Sequence, residues 1–387
     1  MTKTILYCAT VDYHFKAFHL PEMQWFKQQG WDVHVAAAGD MELPFTDKKF
    51  TIDIHRSPFH VRNIKGYKQL RTIIDHHDYD FIHAHTPLGG VLARLTARSA
   101  RKKGTKVIYT AHGFHFCKGV PFRNWLLYYP IEKGLSHYTD SLLTINKEDY
   151  NLALRRGFKA KEVHRVSGVG VDTSRFKPLP KHIKATEKKS LGFDADDFLL
   201  FNASEFNRNK NQQFLLSVVA LLKRDIPNIR LILAGEGTML EDCKAHAHHL
   251  GIADRVTFLG FRKDIEDLLP VCDVAVASSF REGLPVNIME AMAAGLPVVA
   301  TTNRGHNELV RNHREGYLLG PHEPELFAEK VKHLWAHKNL REHLGQQGRR
   351  TIEEAYSIDT VMLEKQLIYQ RLMGTAQPTS YQSVIGR

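Results

Sequence analysis

The stretch Ser278-Ser279-Phe280-Arg281-Glu282-Gly283-Leu284-Pro285-Val286-Asn287-Ile288-Met289-Glu290-Ala291-Met292-Ala293-Ala294-Gly295-Leu296-Pro297-Val298-Val299-Ala300-Thr301 decides how the rest of the chain is read. The apolar run at 274–277 leads into it and the run at 297–300 leads out, and short unbroken apolar runs suit strands buried in a parallel sheet. Between them the sequence predicts a short helix. Pro285 suits its first position, where a missing N–H costs nothing, and Gly295 suits the position just past its end. Glu282 then lies in the loop before the helix and Glu290 on its body. Both can turn toward the helix N-terminus, whose free N–H groups and positive potential favour a phosphate. A helix with one exposed and one capping glutamate would look the same, so the surrounding chain has to decide.

Outward from this stretch the chain alternates strand and helix. Strands are expected at 4–9, 32–37, 50–55, 81–85, 107–111 and 141–145, and again at 198–203, 229–234, 256–259, 274–277, 298–301 and 317–319. A single first helix is expected over 14–30, others at 64–76, 89–103, 123–137 and 147–157, and three at 325–337, 340–355 and 360–373. Such a βαβ series predicts parallel, doubly wound sheets with ligands at the carboxyl ends of the strands. Residues 177–197 turn to Pro, Lys and Asp and read as a linker. The chain is therefore expected to form one Rossmann-like domain over 1–172 and a second over 185–356, facing each other across a ligand-binding cleft.

The strand ends supply the candidate chemistry. The first βα turn, Cys8 to His14, lacks the glycine that lets a pyrophosphate approach the backbone, which argues against a dinucleotide-dependent dehydrogenase. His83-Ala84-His85 places two imidazoles on one strand face, but no third or fourth metal ligand is evident in the sequence, and an orienting or polar-core role is expected. Asp78-Tyr79-Asp80 precedes its strand, away from the ligand edge, and Asp194 and Asp196 fall in a polar loop, so neither is read as a metal motif. His112 followed by Gly113 ends a strand and is positioned to face the cleft. Asn207-Arg208-Asn209-Lys210 follows another strand, Ala234-Gly235-Glu236-Gly237 a third, and Phe261-Arg262 a fourth.

The chain of 387 residues is long enough for two cores. Cys8, Cys117, Cys243 and Cys272 are scattered and read as reduced, mostly buried thiols, without disulfides or structural zinc. No run has signal-peptide or membrane-spanning form, so a cytosolic protein is expected. Residues 1–170 hold 25 Lys+Arg against 15 Asp+Glu, a surplus of 10 within the total of +11. That surplus suits an anionic membrane face, an acidic lipid head group or nucleic acid, and no nucleic-acid-binding signature accompanies it. The aromatic run from Val120 to Pro130, after Lys118, suits either an interfacial surface that meets lipid or a core helix. Residues 375–387 are polar and expected to be loose.

In the order E-G-x-x-x-x-x-x-E-A-M-A-x-G-x-P-V-V, the opening stretch resembles the signature of retaining GT-B glycosyltransferases of the family often called family 4. The resemblance spans essentially the whole chain, and Ala-Thr-Val-Asp-Tyr-His, Tyr-Thr-Ala-His-Gly-Phe-His-Phe and Asn-Lys-Asn-Gln are most similar to bacterial exopolysaccharide or capsule enzymes. It implies that Glu290 holds the nucleotide ribose, Glu282 the donor sugar, and Lys210 the diphosphate in place of a metal ion. His112 would stand near the donor sugar, Phe261 and Arg262 would cup the base, and Asp12, His14 and His85 would face the acceptor. The family's Gly-Phe-Gly is Gly283-Leu284-Pro285 here, which removes one backbone donor, and its arginine is Glu205, which leaves Arg208 as candidate for the second charge. The last helix, 357–374, would return to the first domain.

The implied activity is transfer of a sugar, an N-acetylhexosamine, from a UDP-sugar to an undecaprenyl-diphosphate-linked saccharide. The anomeric configuration would be retained, no metal would be needed, and the reaction would take place at the inner face of the cell membrane. A UDP-sugar epimerase of the same fold, or a non-catalytic nucleotide-sugar-binding protein, would share most of these features.

Overall fold

The computed structural model describes residues 2–375, so all of the expected loose end except Thr375 lies outside the described residues. Apolar runs build two parallel sheets. The first contains β1 (Thr4–Val11), β2 (Asp32–Ala38), β3 (Lys48–Thr51), β4 (Phe81–Ala84), β5 (Lys106–Ala111), β6 (Ser141–Thr144) and β7 (Glu162–Arg165), in the order β3-β2-β1-β4-β5-β6-β7. The second contains β8 (Phe198–Ala203), β9 (Ile229–Ala234), β10 (Val256–Gly260), β11 (Val274–Ala277), β12 (Val298–Thr301) and β13 (Gly316–Leu319), in the order β10-β9-β8-β11-β12-β13. In each, strand order reverses beside the first strand, between β1 and β4 and between β8 and β11. Ligands of doubly wound sheets bind outside the carboxyl ends at such a reversal.

Two compact units result: residues 1–169 with the chain from Val361 onward, and residues 170–360. The final helix, Ile358–Leu372, thus contributes most of its length to the first unit. Its Lys365 ammonium contacts the Glu22 carboxylate at 2.5 Å, and its Tyr369 hydroxyl donates to Glu22 at 2.7 Å.

Three local expectations are corrected. The helix expected over 14–30 is two, Tyr13–Phe18 and Leu20–Gln28, because His19 leaves the helical region and Pro21 restarts the helix in its first turn. The stretch read as linker contains the helix Lys181–Ser190. Its Lys188 is buried, donating to Asp273 at 2.8 Å and to the Asp197 carbonyl at 2.6 Å, so lysines that look like solvated charge in fact tie this helix to the second sheet. The polar edge strand β7 has no apolar run to announce it, and β3 starts two residues earlier and ends four residues earlier than the expected 50–55.

The opening stretch folds as it reads, one residue out of phase. β11 and β12 are wholly buried, the helix covers Val286–Ala293, and Pro285 is its N-cap instead of its first residue. Gly295 takes φ +81°, the left-handed conformation that closes a helix cheaply only with glycine. Ile288, Met289, Ala291 and Met292 bury the core face. Asn287 and Glu290, three residues apart, consequently share the other face.

Candidate active site

Two loops at the carboxyl ends of adjacent strands build the site in the second unit. After β8 the chain turns through Asn211, whose φ of +54° is left-handed, and the Lys210 N–H donates to the Asn207 carbonyl at 3.1 Å. After β11, the Ser278 hydroxyl lies 2.8 Å from both the Lys210 and Asn211 carbonyls, and the Phe280 N–H donates to the Asn209 carbonyl at 2.9 Å. This seam brings Lys210 Nζ to 2.6 Å from Glu282 Oε1, with both side chains only partly exposed. From the end of β12, Arg304 Nε donates to the Glu282 carbonyl at 2.9 Å. Gly305 is pressed so close that a Cβ there would lie 2.7 Å from Glu282 Cβ, so a larger residue would displace the glutamate. Neither Arg304 nor Gly305 belongs to a pattern visible in the sequence; they open the short helix Arg304–Leu309 after β12.

Asn287 anchors the helix by donating to the Ala203 carbonyl at the end of β8, 2.8 Å away. On the same face, Glu290 is partly buried. Burial pushes its carboxyl up to about 7, against the pull of Arg175 and with a further push from Glu266. Arg175 itself lies 2.7 Å from Glu266. The structure therefore joins Lys210 directly to Glu282 and sets Glu290 farther along the same loop-helix unit, among the fields of Arg175 and Glu266. Arg175 had no sequence signal.

Arg208 is exposed, with no carboxylate paired to it among the described residues. Phe261 is exposed, while Arg262 is engaged at 2.8 Å by Asp264. Leu284 points into the core, leaving only backbone at Gly283 and Leu284 to meet a ligand.

In the first unit, the residues expected to face an acceptor are mostly buried. Asp12 is engaged by Lys49 Nζ at 2.6 Å and the Met41 N–H at 2.8 Å, so its carboxylate fastens the loop after β2. Burial would raise its pKa, but these bonds hold it below the usual carboxylate range. His85 and His83 share one strand face, ring centroids 4.1 Å apart. His83 meets the Thr110 hydroxyl at 2.8 Å and the Tyr369 hydroxyl at 3.0 Å, a satisfied polar core. His85 Nδ1 lies 3.3 Å from His112 Nε2, and His14 Nε2 lies 3.2 Å from His19 Nε2. The sequence showed no third or fourth imidazole near His85; folding brings them from β5 and from the turns after β1.

Beside His14 opens a pocket of about 420 Å³ lined largely by apolar side chains, including Phe59, Leu88, Phe114, Leu127 and Ile131, with Arg56 at its wall. Around it the surface is apolar: Phe59 is 79% exposed, Phe122 74% and Leu126 65%. The aromatic helix Phe122–Leu135 has both characters: Phe122 and Leu126 are exposed, while Trp125, Tyr128 and Tyr129 pack against the core. All four cysteines are free and buried. Among the described residues no helix is long and apolar enough to cross a membrane.

Comparison with known proteins agrees with this architecture. Residues 4–146 match the family described as "Glycosyl transferase 4-like", and residues 183–351 match "Glycosyl transferases group 1". EpsD of Bacillus subtilis (strain 168), a protein assigned as a glycosyltransferase, is 52% identical over 354 residues, covering 91% of this chain and 92% of its own length. The UDP-Gal:alpha-D-GlcNAc-diphosphoundecaprenol alpha-1,3-galactosyltransferase of Escherichia coli is 27% identical over 262 residues, 67% of each chain. The solved structure of Anabaena HepE in complex with UDP and glucose superposes with a TM-score of 0.77 at 20% identity, covering 96% of this chain and 100% of its own. With a group 1 unit following a 4-like unit on two doubly wound sheets, this chain belongs to the GT-B glycosyltransferases of family 4.

Proposed function

We propose that the protein transfers a sugar, an N-acetylhexosamine, from a UDP-sugar to a saccharide linked through diphosphate to a polyprenyl lipid, with retention at the anomeric carbon, in exopolysaccharide or capsule synthesis. The observation that carries this is the Lys210–Glu282 contact of 2.6 Å at the strand-order reversal of the second sheet. A donor entering there exchanges partners with the pair. Lys210 turns from Glu282 to the diphosphate, and Glu282 is released to accept from the sugar's hydroxyls. As the bond to the sugar breaks, charge grows on the departing UDP. Lys210, with Arg208 from the same loop, stabilises that charge in place of a divalent ion. Glu290 accepts from the ribose hydroxyls, Gly283 and Leu284 offer backbone groups, and Phe261 and Arg262 border the base. No side chain is assigned as covalent nucleophile, so the acceptor attacks from the face the diphosphate leaves.

On the acceptor side, the apolar pocket beside His14 suits the lipid-proximal part of such an acceptor, with Arg56 available to its diphosphate. Asp12 and His85 act there by holding the walls, and His112 keeps its Nδ1 for a sugar hydroxyl. Exposed Phe59, Phe122 and Leu126, together with exposed Arg62, Lys68 and Arg123, suit peripheral binding to the anionic inner face of the cell membrane. Serine at all three apolar positions is expected to weaken binding to phosphatidylglycerol vesicles at least about tenfold. Added salt is expected to weaken wild type further, and flotation assays measure both effects. The names borne by the relatives, a diphosphoundecaprenol galactosyltransferase among them, support this substrate class.

The deciding experiment follows donor consumption with and without an undecaprenyl-diphosphate-linked saccharide. UDP release that requires the acceptor supports transfer. Isomerised donor without acceptor would make the protein an epimerase, and affinity without turnover a binding protein.

Glu290 gives a pH test. Its carboxyl, pushed up to about 7, must be ionised to accept from ribose. Donor affinity is therefore expected to be full above pH 7 and to fall about tenfold per pH unit below it, while Glu290→Gln binds weakly and without that slope. A UDP-sugar, lacking a phosphate group that titrates in this range, is the ligand to use in calorimetry.

A further inference from the structure

His14, His19, His85 and His112 converge from three different segments of the first unit: the turn and helix junction after β1, the carboxyl end of β4 and the carboxyl end of β5. One ring nitrogen of each lies within 4.8 Å of those of the other three. Two of the separations are 3.2 Å, between His14 Nε2 and His19 Nε2, and 3.3 Å, between His85 Nδ1 and His112 Nε2. A tetrahedron of nitrogens at Zn–N distances of 2.0–2.1 Å has edges of about 3.3–3.4 Å.

We propose that these four histidines bind one zinc ion in a closed, tetrahedral, structural site that fastens the carboxyl ends of β1, β4 and β5 behind the acceptor pocket. The donor set is all imidazole, which suits zinc among tetrahedrally bound metals, and four protein ligands leave no open position for chemistry. Outside the cluster, Glu22 Oε1 accepts from His19 Nδ1 at 3.0 Å. That carboxylate–histidine contact fixes the His19 tautomer and leaves its Nε2 lone pair toward His14, the arrangement that orients metal-bound histidines elsewhere. Lys365, bonded to the same carboxylate, keeps Glu22 ionised. All four histidines belong to the first unit, and the proposal does not depend on the role given to Lys210.

Untagged full-length protein, desalted after exposure to zinc, is expected to retain about one zinc per chain by elemental analysis. Cobalt loading should give the intense visible bands of tetrahedral coordination. His19→Ala and His85→Ala should each bind zinc at least about tenfold more weakly, with folding checked by circular dichroism. His248→Ala/His249→Ala, which removes exposed surface histidines, should retain the metal. Zinc far below one per chain, cobalt bands of octahedral form, or undiminished affinity in both cluster variants would overturn the proposal. The cobalt spectrum of wild type serves even if a variant fails to fold.

Discussion

Lys210→Ala is expected to lower acceptor-dependent UDP release by about 10²–10³-fold, with a much smaller change in donor KM. The asymmetry follows from where the ammonium acts. In the resting structure its charge is already spent on Glu282, 2.6 Å away, so ground-state binding gains little from moving it to the diphosphate. Under the proposed transfer, negative charge would accumulate on the leaving UDP as the bond to the sugar breaks, and the exchange would become favourable. Glu282→Gln should lose activity through the sugar's hydroxyls while leaving Lys210 free to meet the diphosphate. The double variant should therefore cost less than the two losses combined, as coupled neighbours do. Steady-state kinetics of the three variants, with Lys210→Arg as the charge-conserving control, separates this from general damage to the loop. Full turnover in Lys210→Ala would remove the lysine from the mechanism.

Lys365→Met is expected to destabilise the first unit by about 3–5 kcal/mol, because it strands a buried carboxylate. Lys365 is 2% exposed and Glu22 1%, and Glu22 is also bonded to Tyr369 and His19. Burial alone would raise the Glu22 pKa, but Lys365 and His19 hold it well below its usual 4.5. A depressed pKa contributes stability that is present above 4.5 and disappears as pH falls below it. In wild type, urea unfolding should accordingly show a loss of stability under acid, and Lys365→Met should lack most of that dependence. Glu22→Gln/Lys365→Met should recover much of the loss at neutral pH, since removing both charges removes the stranded one. The bond crosses from the last helix to the helix Leu20–Gln28, so truncation before Val361 should be as damaging as the point variant.

What could be read in the sequence and what could not divides along physical lines. β11, β12 and the helix between them are fixed by local rules, an apolar run, a proline, a helix-ending glycine, and they fold within one residue of expectation. Lys210 and Glu282 were singled out through the family resemblance of their loops, and strand order at the reversal accounts for the two loops standing side by side. Arg175, Arg304 and Gly305 were not, since their part depends on loops that approach through space. The histidine cluster failed for the same reason: His83 and His85 carry a spacing, but His14, His19 and His112 reach them only once β1, β4 and β5 are side by side. The helix Lys181–Ser190 was hidden for another, because lysine composition alone does not reveal that Lys188 is buried on Asp273.

A crystal structure of the chain with UDP bound tests the central claim most directly. The account predicts the diphosphate on Lys210 with the Lys210–Glu282 contact opened, and the ribose hydroxyls on Glu290. UDP bound elsewhere, with Lys210 still closed on Glu282 and Glu290 untouched, would contradict it.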